Sequence, residues 1–260
     1  MLRALSIDIG WKHLAYAMLE VGSMNENCID EEFSIKAWNC ESLLEGHVNV
    51  NDTSLDELIR LTVPSIAKIL KKWIAWPGQP SIMPTIAFLE QQPLGMQARN
   101  VKSKTLSHVI QGLLISQGIS VVFISPQKKL KYMEHSGNYS DNKKYAIEET
   151  LRLLKLIDVN ESNNQWLIHF NSFKKKDDLA DSFLQGLYAS KEYILSQIKQ
   201  IKQEAKEEAK QSKLKLKTSK RLLKELNQTD EPAKSLKKKK KLNKSRLAAE
   251  SSVSLDLLTF

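Results

Sequence analysis

Cysteine and long apolar runs are scarce in this chain, and each scarcity excludes a class of protein. The 260 residues contain two cysteines, Cys28 and Cys40, which are too few for a disulfide framework and lack metal-site spacing. No run is long and apolar enough to cross a membrane. The first ten residues, MLRALSIDIG, match neither a signal peptide nor a transit peptide, because they enter a strand pattern and carry Asp8. We therefore expect a soluble, intracellular protein of a reducing compartment, with no membrane partner.

Two common catalytic sequence patterns are also missing. The sequence has only nine glycines, and it contains neither a G-x-x-x-x-G-K-[ST] phosphate-binding loop nor a G-x-S-x-G nucleophile turn. The five histidines are scattered without ligand spacing, although His13 lies close to Asp8 in the sequence. An ATPase and a serine hydrolase are therefore disfavoured, and the histidines are expected to be structural or exposed.

Positive charge is concentrated at one end of the chain. Residues 191–260 carry 19 Lys and Arg against 9 Asp and Glu, whereas residues 1–190 carry 20 against 21. The composition predicts a near-neutral globular domain over residues 1–195. It predicts a Lys-rich tail, partly helical or disordered, over residues 196–260. A basic extension of this kind favours a polyanionic partner, and nucleic acid before a membrane surface.

Alternating and helical patterns predict an α/β layered domain with a mixed sheet. Three strands come first, in the segments LRALSIDIG, HLAYAMLEV and FSIKAWNC, and two later ones in TIAFLE and ISVVFIS. Helices are predicted over residues 55–73, 101–117, 141–156 and 177–193. Within the first helix, Pro64 is expected to restart the helix at a first-turn position, and Gly118 is expected to end the second.

Four acids lie at the edges of these apolar elements. Asp8 is in the first strand, Glu90 ends the fourth, and Asp178 and Asp181 open the last helix. A carboxylate in an apolar setting is costly unless it is paired or bound to metal, and a shared cation would also offset the repulsion among several acids. Hard oxygen ligands suit Mg²⁺ or Mn²⁺ better than zinc. Such a cluster is suited to phosphodiester hydrolysis with two metal ions.

Each acid also has an ordinary explanation when it is considered alone. Asp8 could be a strand-end residue and Glu90 a surface acid, while acids at a helix start are favoured by the helix dipole. The shared-metal hypothesis is preferred because all these separate explanations would have to hold together.

Three segments resemble the acidic motifs of the RuvC-like Holliday junction resolvases: LSIDIGWKHLAYA, IAFLEQQPL and KKKDDLADSFLQGL. The resemblance is closest to the poxvirus-type and fungal mitochondrial branch, and it covers about residues 1–190. It implies an RNase H-like fold with a five-stranded mixed sheet flanked by helices. It also implies a homodimer that makes paired, Mg²⁺-dependent nicks across a four-way DNA junction, with two ions per active site and Mn²⁺ as the alternative.

The resemblance assigns roles to individual residues. Asp8 would bridge both ions, Glu90 would be the second acid, and Asp178 with Asp181 would complete the set, whereas Asp177 is either a ligand or a helix cap. Lys12 matches a basic position near the scissile phosphate. An aromatic residue that follows the second acid in bacterial relatives is replaced here by Pro93.

Further basic residues follow the second acid or precede the third motif. Arg99, Lys102 and Lys104 lie close after Glu90 without an intervening acid, so they could contact phosphate, although a solvated helix start would explain them equally well. The lysines that adjoin the aspartates in KKKDDLADSFLQGL could offset the charge of those aspartates or contact the DNA backbone.

The sequence as a whole predicts a structure-selective endonuclease that resolves four-way junctions and other branched DNA in recombination, repair or replication. An apolar helix such as residues 101–116 could form the dimer interface. The alternatives are another RNase H-like nuclease, acting on RNA–DNA hybrids, and a junction-binding protein without catalysis. The resemblance favours a viral enzyme in an infected cell over a mitochondrial one.

Overall fold

A computed structural model describes residues 1–22, 33–46, 48–74, 83–92, 98–125, 138–157 and 164–227. Five strands are described: β1 (Leu2–Ile9), β2 (His13–Val21), β3 (Phe33–Ser42), β4 (Ile86–Glu90) and β5 (Ser120–Ile124). Five helices are described as well: α1 (Leu55–Ile74), α2 (Ala98–Ile115), α3 (Tyr139–Ile157), α4 (Gln165–Ser172) and α5 (Lys176–Asn227). In the described part of the chain, no helix combines the length and the apolar character needed to span a bilayer.

The five strands form one mixed sheet in the order β3-β2-β1-β4-β5. β2 is antiparallel to both β1 and β3, whereas β4 is parallel to both β1 and β5. The parallel neighbours are joined through helices, as parallel strands require a long crossover. The predicted five-stranded mixed sheet flanked by helices is thereby confirmed.

Helices cover both faces of the sheet, so β1 is buried on each side. Alternate residues of β1, among them Leu5 and Ile7, pack with α1 and α2 in one core. The residues between them face the other side, where Ala4 packs with Ala189 of α5. A strand buried on both faces must be apolar at nearly every position, and Asp8 interrupts that pattern at the strand end.

The other face of the sheet carries an aromatic cluster under the short helix α4. Trp38 of β3 stacks on Phe170 with ring centroids 5.2 Å apart, and its Nε1 donates to the Leu179 carbonyl of α5. Asn164 caps α4 by accepting from the Leu167 amide at 2.9 Å. α4 was not among the helices predicted from the sequence.

Two helices differ from their predicted form. α1 is continuous and contains Pro64 in its interior, so the prediction of a restart at this residue was wrong. Ile66, Ile69 and Leu70 beyond the proline are buried on the same face as Leu58 before it, and this packing offsets the missing amide hydrogen bond. α2 ends at Ile115, followed by Gly118 in the left-handed region at φ 78°, as expected for a helix stop.

The chain divides into two compact units, Met1–Gln200 and Ile201–Phe260. The boundary predicted between residues 195 and 196 lies within α5, which continues well past it. The lysine run at residues 237–241 lies outside the described residues.

Candidate active site

The turn between β1 and β2 brings Asp8 to the surface of the domain. The Gly10 amide donates to the His13 carbonyl at 3.0 Å, and a Cβ on Gly10 would lie 2.9 Å from that carbonyl oxygen. The turn therefore requires glycine at this position. On its outer side the Lys12 carbonyl accepts from the Leu43 amide at 2.9 Å, which ties the turn to the end of β3.

A cleft of about 400 Å³ opens beside this turn. Asp8 and Asp178, which are distant in the sequence, both line it, together with Lys12 and Lys175. The rest of the lining consists of Ile9, Gly10, Trp11, His13, Ala15 and Val50. The cleft thus combines two carboxylates with two lysines, as a site for phosphate groups and cations would.

The sheet register places the first two predicted acids side by side. Ile7 pairs with Leu89 across the parallel strands, so Asp8 and Glu90 follow at the next position of the two strands. Neighbouring residues of adjacent strands share a face of the sheet. Across the antiparallel strands Asp8 pairs with Ala15, and Ala15 pairs with Cys40. Asp8 therefore occupies the middle of a row that has Glu90 on one side and Cys40 on the other.

α5 crosses this face of the sheet, and one of its glutamines hydrogen-bonds to two strands. Gln185 Nε2 is buried and lies 3.2 Å from Ser6 Oγ, 3.2 Å from the Ile7 carbonyl and 3.3 Å from the Phe88 carbonyl. The next residue, Gly186, allows close approach, since a Cβ there would lie 2.7 Å from the Ser6 Cβ. Gln185 therefore fastens α5 to β1 and β4 at once.

The direction of α5 carries its first turns toward Asp8. Ala189 packs with Ala4, and Gly186 lies over Ser6, so helix numbers fall as strand numbers rise. Asp181 lies one turn before Gln185, and Asp178 lies one turn further toward the end of β1. All four predicted acids are half-buried. Asp178 lines the cleft with Asp8, whereas Glu90 and Asp181 lie outside its lining.

The neighbouring acid Asp177 has a different partner. α5 begins at Lys176, so Asp177 lies in its first turn and is not the cap residue. Its carboxylate accepts a hydrogen bond from Lys143 of α3. Burial alone would raise the pKa of Asp177, but the hydrogen bond and charge of Lys143 outweigh it and hold that pKa below its usual range. Asp177 thus joins α3 to α5.

The negative charge of this region affects the pKa of the half-buried Cys40 thiol. Burial, and then the carboxylates of Asp178 and Asp8, raise the pKa of the Cys40 thiol to about 11. The thiol is therefore protonated at neutral pH, and a protonated thiol is neither a nucleophile nor a metal ligand. This shift makes Cys40 a poor candidate for a nucleophile.

The chemistry of the cleft fits a hard divalent cation. Its acidic donors are carboxylate oxygens, which Mg²⁺ and Mn²⁺ prefer, and the cleft contains neither a thiolate nor a set of histidines. Among the described residues, no three His, Cys, Asp or Glu side chains lie close enough together to hold a metal ion without rearrangement. A Mg²⁺ ion held by one or two carboxylates retains several waters, so two converging aspartates are enough to begin such a site.

The predicted DNA-contacting residues have different environments. Lys12 is exposed and lines the cleft. Lys102 instead donates to the carbonyls of Val50, Asn51 and Thr53 at 2.9, 3.2 and 2.8 Å, which organises the segment before α1. A phosphate contact by Lys102 stays a prediction, and it would require these hydrogen bonds to be exchanged.

The remaining predicted residues lie near the start of α2. Lys104 is exposed on this helix. Arg99 lies in the first turn of α2, and its side chain is outside the described part of the structure, as is Pro93. A DNA contact by either basic residue stays a prediction.

Two polar residues of the cleft had little or no individual signal in the sequence. Lys175 was predicted only as one of the lysines before Asp177, and its Nζ lies 3.6 Å from a carboxylate oxygen of Asp178. Trp11 is buried, and its Nε1 has no hydrogen-bond partner among the described residues. Its position between Gly10 and Lys12 gave no sign of that environment.

Comparison with solved structures gives matches of low sequence identity. The fowlpox virus resolvase, solved in complex with Holliday junction DNA, is 19% identical, covering 75% of this chain and 98% of that one, with a TM-score of 0.47. RuvC of T. thermophilus, solved with a Holliday junction substrate, is 11% identical, covering 76% of this chain and 96% of that one, also with a TM-score of 0.47. The yeast mitochondrial Holliday junction resolvase is 20% identical, covering 77% of this chain and 84% of that one, with a TM-score of 0.44.

The comparison with family models is more specific. No curated protein matches the chain. A family model described as Poxvirus A22 protein matches residues 66–196, a span that contains β4, the lysines of α2 and the KKKDD segment. Since this span is just over half of the 260 residues, the chain belongs to the Poxvirus A22 protein family.

Proposed function

We propose that this chain is a divalent-metal-dependent endonuclease that resolves four-way DNA junctions and other branched DNA in recombination, repair or replication. The observation that carries the proposal is the meeting of Asp8 and Asp178 in one cleft beside Lys12 and Lys175. Carboxylates and lysines in one open cleft suit a polyanionic substrate that is cut with the help of cations. The family's poxvirus name supports a viral enzyme that acts in the infected cell.

The proposed ligands of the metal are Asp8, Glu90, Asp178 and Asp181. When bound, two Mg²⁺ ions, or two Mn²⁺ ions, would activate the attacking water and stabilise the leaving oxygen. Asp8 and Asp178 already face the same cleft, and Glu90 shares the sheet face of Asp8 at the next register position. Rotation of side chains about fixed backbone positions would add Glu90 and Asp181 to the set.

The lysines of the cleft have a separate role in this proposal. Lys12 and Lys175 would bind the phosphates that flank the cut, with Arg99 and Lys104 extending the contact beyond the cleft. Lysine contacts to phosphate supply affinity without reading sequence. Selection of a junction would depend on shape and deformability, and it is the motif resemblance that favours a four-way junction over other branched DNA.

Two copies of the chain would act on one junction. A two-fold axis would place the two clefts on opposed strands and produce paired nicks. The apolar side chains of α2 that suggested this helix as an interface, among them Leu106, Ile110 and Leu114, are buried in the chain's own core. The interface would therefore use exposed residues such as Val101 and Ile115, or another surface.

The first test is cleavage of a labelled synthetic four-way junction in Mg²⁺, with linear duplex and RNA–DNA hybrid as competitors. The native chain should nick opposed strands of the junction. Asp178→Asn should bind the junction but cut it more slowly by about 100-fold or more, because one charged oxygen of the metal site is lost. Glu148→Gln, the same chemical change at an exposed position of α3, should cut normally.

Three outcomes would contradict the proposal in different ways. Faster cutting of the hybrid than of the junction would retain the carboxylate site and replace the substrate. Junction binding without cutting by the native chain would leave a binding protein. Normal cutting by Asp178→Asn would remove this residue from the proposed set.

A further inference from the structure

The second unit begins with an exposed helix. α5 continues from Ile201 to Asn227, and every side chain from Ile201 to Leu223 is exposed. Few residues of this stretch are strongly apolar, so the stretch gains little from burial, and its helical state depends on good helix formers such as Ala, Glu, Gln and Lys. The arrangement of charge around the helix is consequently the main feature of its surface.

Lysines form one row along this helix. They recur at intervals of three or four residues, and at 3.6 residues per turn they fall within a sector of about 80°. The row, called here the lysine stripe, consists of Lys202, Lys206, Lys210, Lys213, Lys217 and Lys220. From the first to the last, the stripe is about 27 Å long, since an α-helix rises about 1.5 Å per residue.

The acids of this segment avoid the stripe. Glu204, Glu207 and Glu208 lie about 100° to 160° from the centre of the lysine sector. A solvated helix is stabilised when Glu and Lys alternate at i and i+4 along one face. Separation of the two charges onto different faces instead produces a surface of one sign.

The stripe also has a cost to the free helix. Consecutive members are spaced i,i+3 or i,i+4, where like charges repel and destabilise an isolated helix. A polyanion laid along the row would relieve that repulsion. The pattern is therefore typical of a surface that binds a line of negative charge.

We propose that the lysine stripe binds the phosphate backbone of a duplex arm of DNA, as a second contact in addition to the cleft. A stripe of about 27 Å matches about eight base pairs, since base pairs are about 3.4 Å apart along the axis. The inference rests on the proposed function only for the identity of the polyanion, and its charge argument requires no catalysis.

Duplex DNA explains this helix better than a membrane surface does. Helices that lie in a membrane interface have bulky apolar residues, often Trp or Phe, opposite or beside their lysines. Residues 201–227 contain no aromatic residue. The sector next to the stripe combines Ala205 and Ala209 with three bulky apolar residues at the two ends of the stretch, Ile201, Leu216 and Leu223. The lysine stripe is therefore a more continuous surface feature of this helix than the apolar sector beside it.

The test measures binding of the full chain to a linear 24-base-pair duplex by fluorescence anisotropy, in EDTA and over a range of salt concentrations. The main variant moves three positive charges off the stripe while it keeps composition and net charge constant. Its substitutions are Lys202→Glu, Lys206→Glu, Lys210→Glu, Glu204→Lys, Glu207→Lys and Glu208→Lys. Circular dichroism of each variant verifies that the helix content is unchanged.

The expected result is weaker binding of the charge-moved variant, by about tenfold or more at 0.1 M salt. The slope of log K against log salt should fall in magnitude by about 2 to 3, since each lost phosphate contact contributes about 0.9. A matched pair of single variants sharpens the test. Lys213→Gln should lower the slope magnitude by about 0.9, whereas Lys215→Gln, about 200° further around the helix, should leave it unchanged.

An unchanged duplex affinity in the charge-moved variant would overturn the proposal. If duplex binding is unchanged but binding to anionic vesicles is lost, the stripe would be assigned to a membrane. If duplex binding is unchanged but sedimentation changes, the stripe would be assigned to contact with another copy of the chain. Junction cleavage is scored separately, so a chain that cuts no junction but loses duplex affinity with the stripe would refute the nuclease and retain this inference.

Discussion

The ion pair between Asp177 and Lys143 joins the first turn of α5 to α3, directly before the cleft residue Asp178. The Asp177 side chain is 21% exposed and that of Lys143 is 35% exposed. Water therefore screens the interaction in part, and its contribution to the free energy of unfolding is about 1 kcal/mol. The importance of the pair is positional, because α5 carries Asp178 as its next residue.

The lowered pKa of Asp177 predicts how this contribution depends on pH. A carboxyl group whose pKa is lower in the folded state stabilises the fold above its unfolded value, here 3.8, and loses that effect as pH falls through the folded value. Asp177→Asn should therefore lower the free energy of unfolding by about 1 kcal/mol at pH 7 and by much less below pH 3. Urea unfolding at both pH values measures this difference.

Glu148→Gln, an exposed acid of the same helix pair, is the control and should change stability little at either pH. A loss from Asp177→Asn that is as large below pH 3 as at pH 7 would contradict an electrostatic origin. It would point instead to altered packing at the start of α5.

At the residue level the sequence could indicate candidate acids but not their partners. Asp8, Glu90, Asp178 and Asp181 interrupt apolar patterns, and such an interruption is visible in a single sequence. Lys143 pairs with Asp177 across 34 positions, and Lys102 binds three carbonyls about 50 positions away. Such partners depend on how elements pack, and no local pattern encodes them.

Between elements, the close approach of α5 to β1 at Gly186 controls how the site is assembled. A Cβ there would lie 2.7 Å from the Ser6 Cβ and 3.1 Å from Leu19 Cδ1, both in buried positions. Gly186→Ala should therefore destabilise the fold by about 1 to 3 kcal/mol, because overpacking outweighs the higher helix propensity of alanine. Thermal and urea unfolding at pH 7 measure the change.

The chain offers a matched control for this substitution. Gly112 in α2 has no atom within 4 Å of an added Cβ, so Gly112→Ala should stabilise the protein by up to about 1 kcal/mol. In Gly186→Ala, the additional change Ser6→Gly should recover part of the loss by removing the opposing Cβ. Stabilisation by Gly186→Ala alone would show that α5 can move away from β1 at little cost.

Elements could be predicted where local pattern and packing agree. The strands β1 and β2 begin and end where their apolar alternation does. The helix that was predicted to end before Gly118 does end close to it, at Ile115. α4 was missed because its eight residues are held by Trp38 and by the Asn164 cap, more than by a pattern of their own. Pro64 was misinterpreted because buried neighbours outweigh its local preference.

For the whole molecule, the extent of α5 illustrates a further limit of sequence patterns. The apolar periodicity stops near Tyr193, and the helix predicted from it stopped there. For the tail beyond, the prediction was only a partly helical or disordered segment, whereas α5 continues to Asn227. Beyond that point the helix is formed by residues of high helix propensity and not by burial. The uneven charge of the chain was visible from composition, but its arrangement in one sector depends on the helix continuing.

The proposed action of two copies on one junction leads to a quantitative prediction for mixed subunits. Native chain and Asp178→Asn would be refolded together in a ratio of one to nine and tested on a closed circular plasmid that carries a cruciform. If two clefts act in one dimer, about 1 dimer in 100 has two active clefts and about 18 in 100 have one. Nicked circles should then far outnumber linear molecules early in the reaction.

A chain that makes both cuts in turn would give a different result. The ratio of linear to nicked product would match that of undiluted native chain, because dilution with the inactive variant would only lower the amount of active enzyme. The comparison uses the product ratio and not the rate, so it is insensitive to the exact activity of the refolded mixture. Because Asp178→Asn is expected to bind the junction normally, the two chains refolded separately and then mixed at the same ratio would show how much of any change arises from competition for the junction and not from shared dimers.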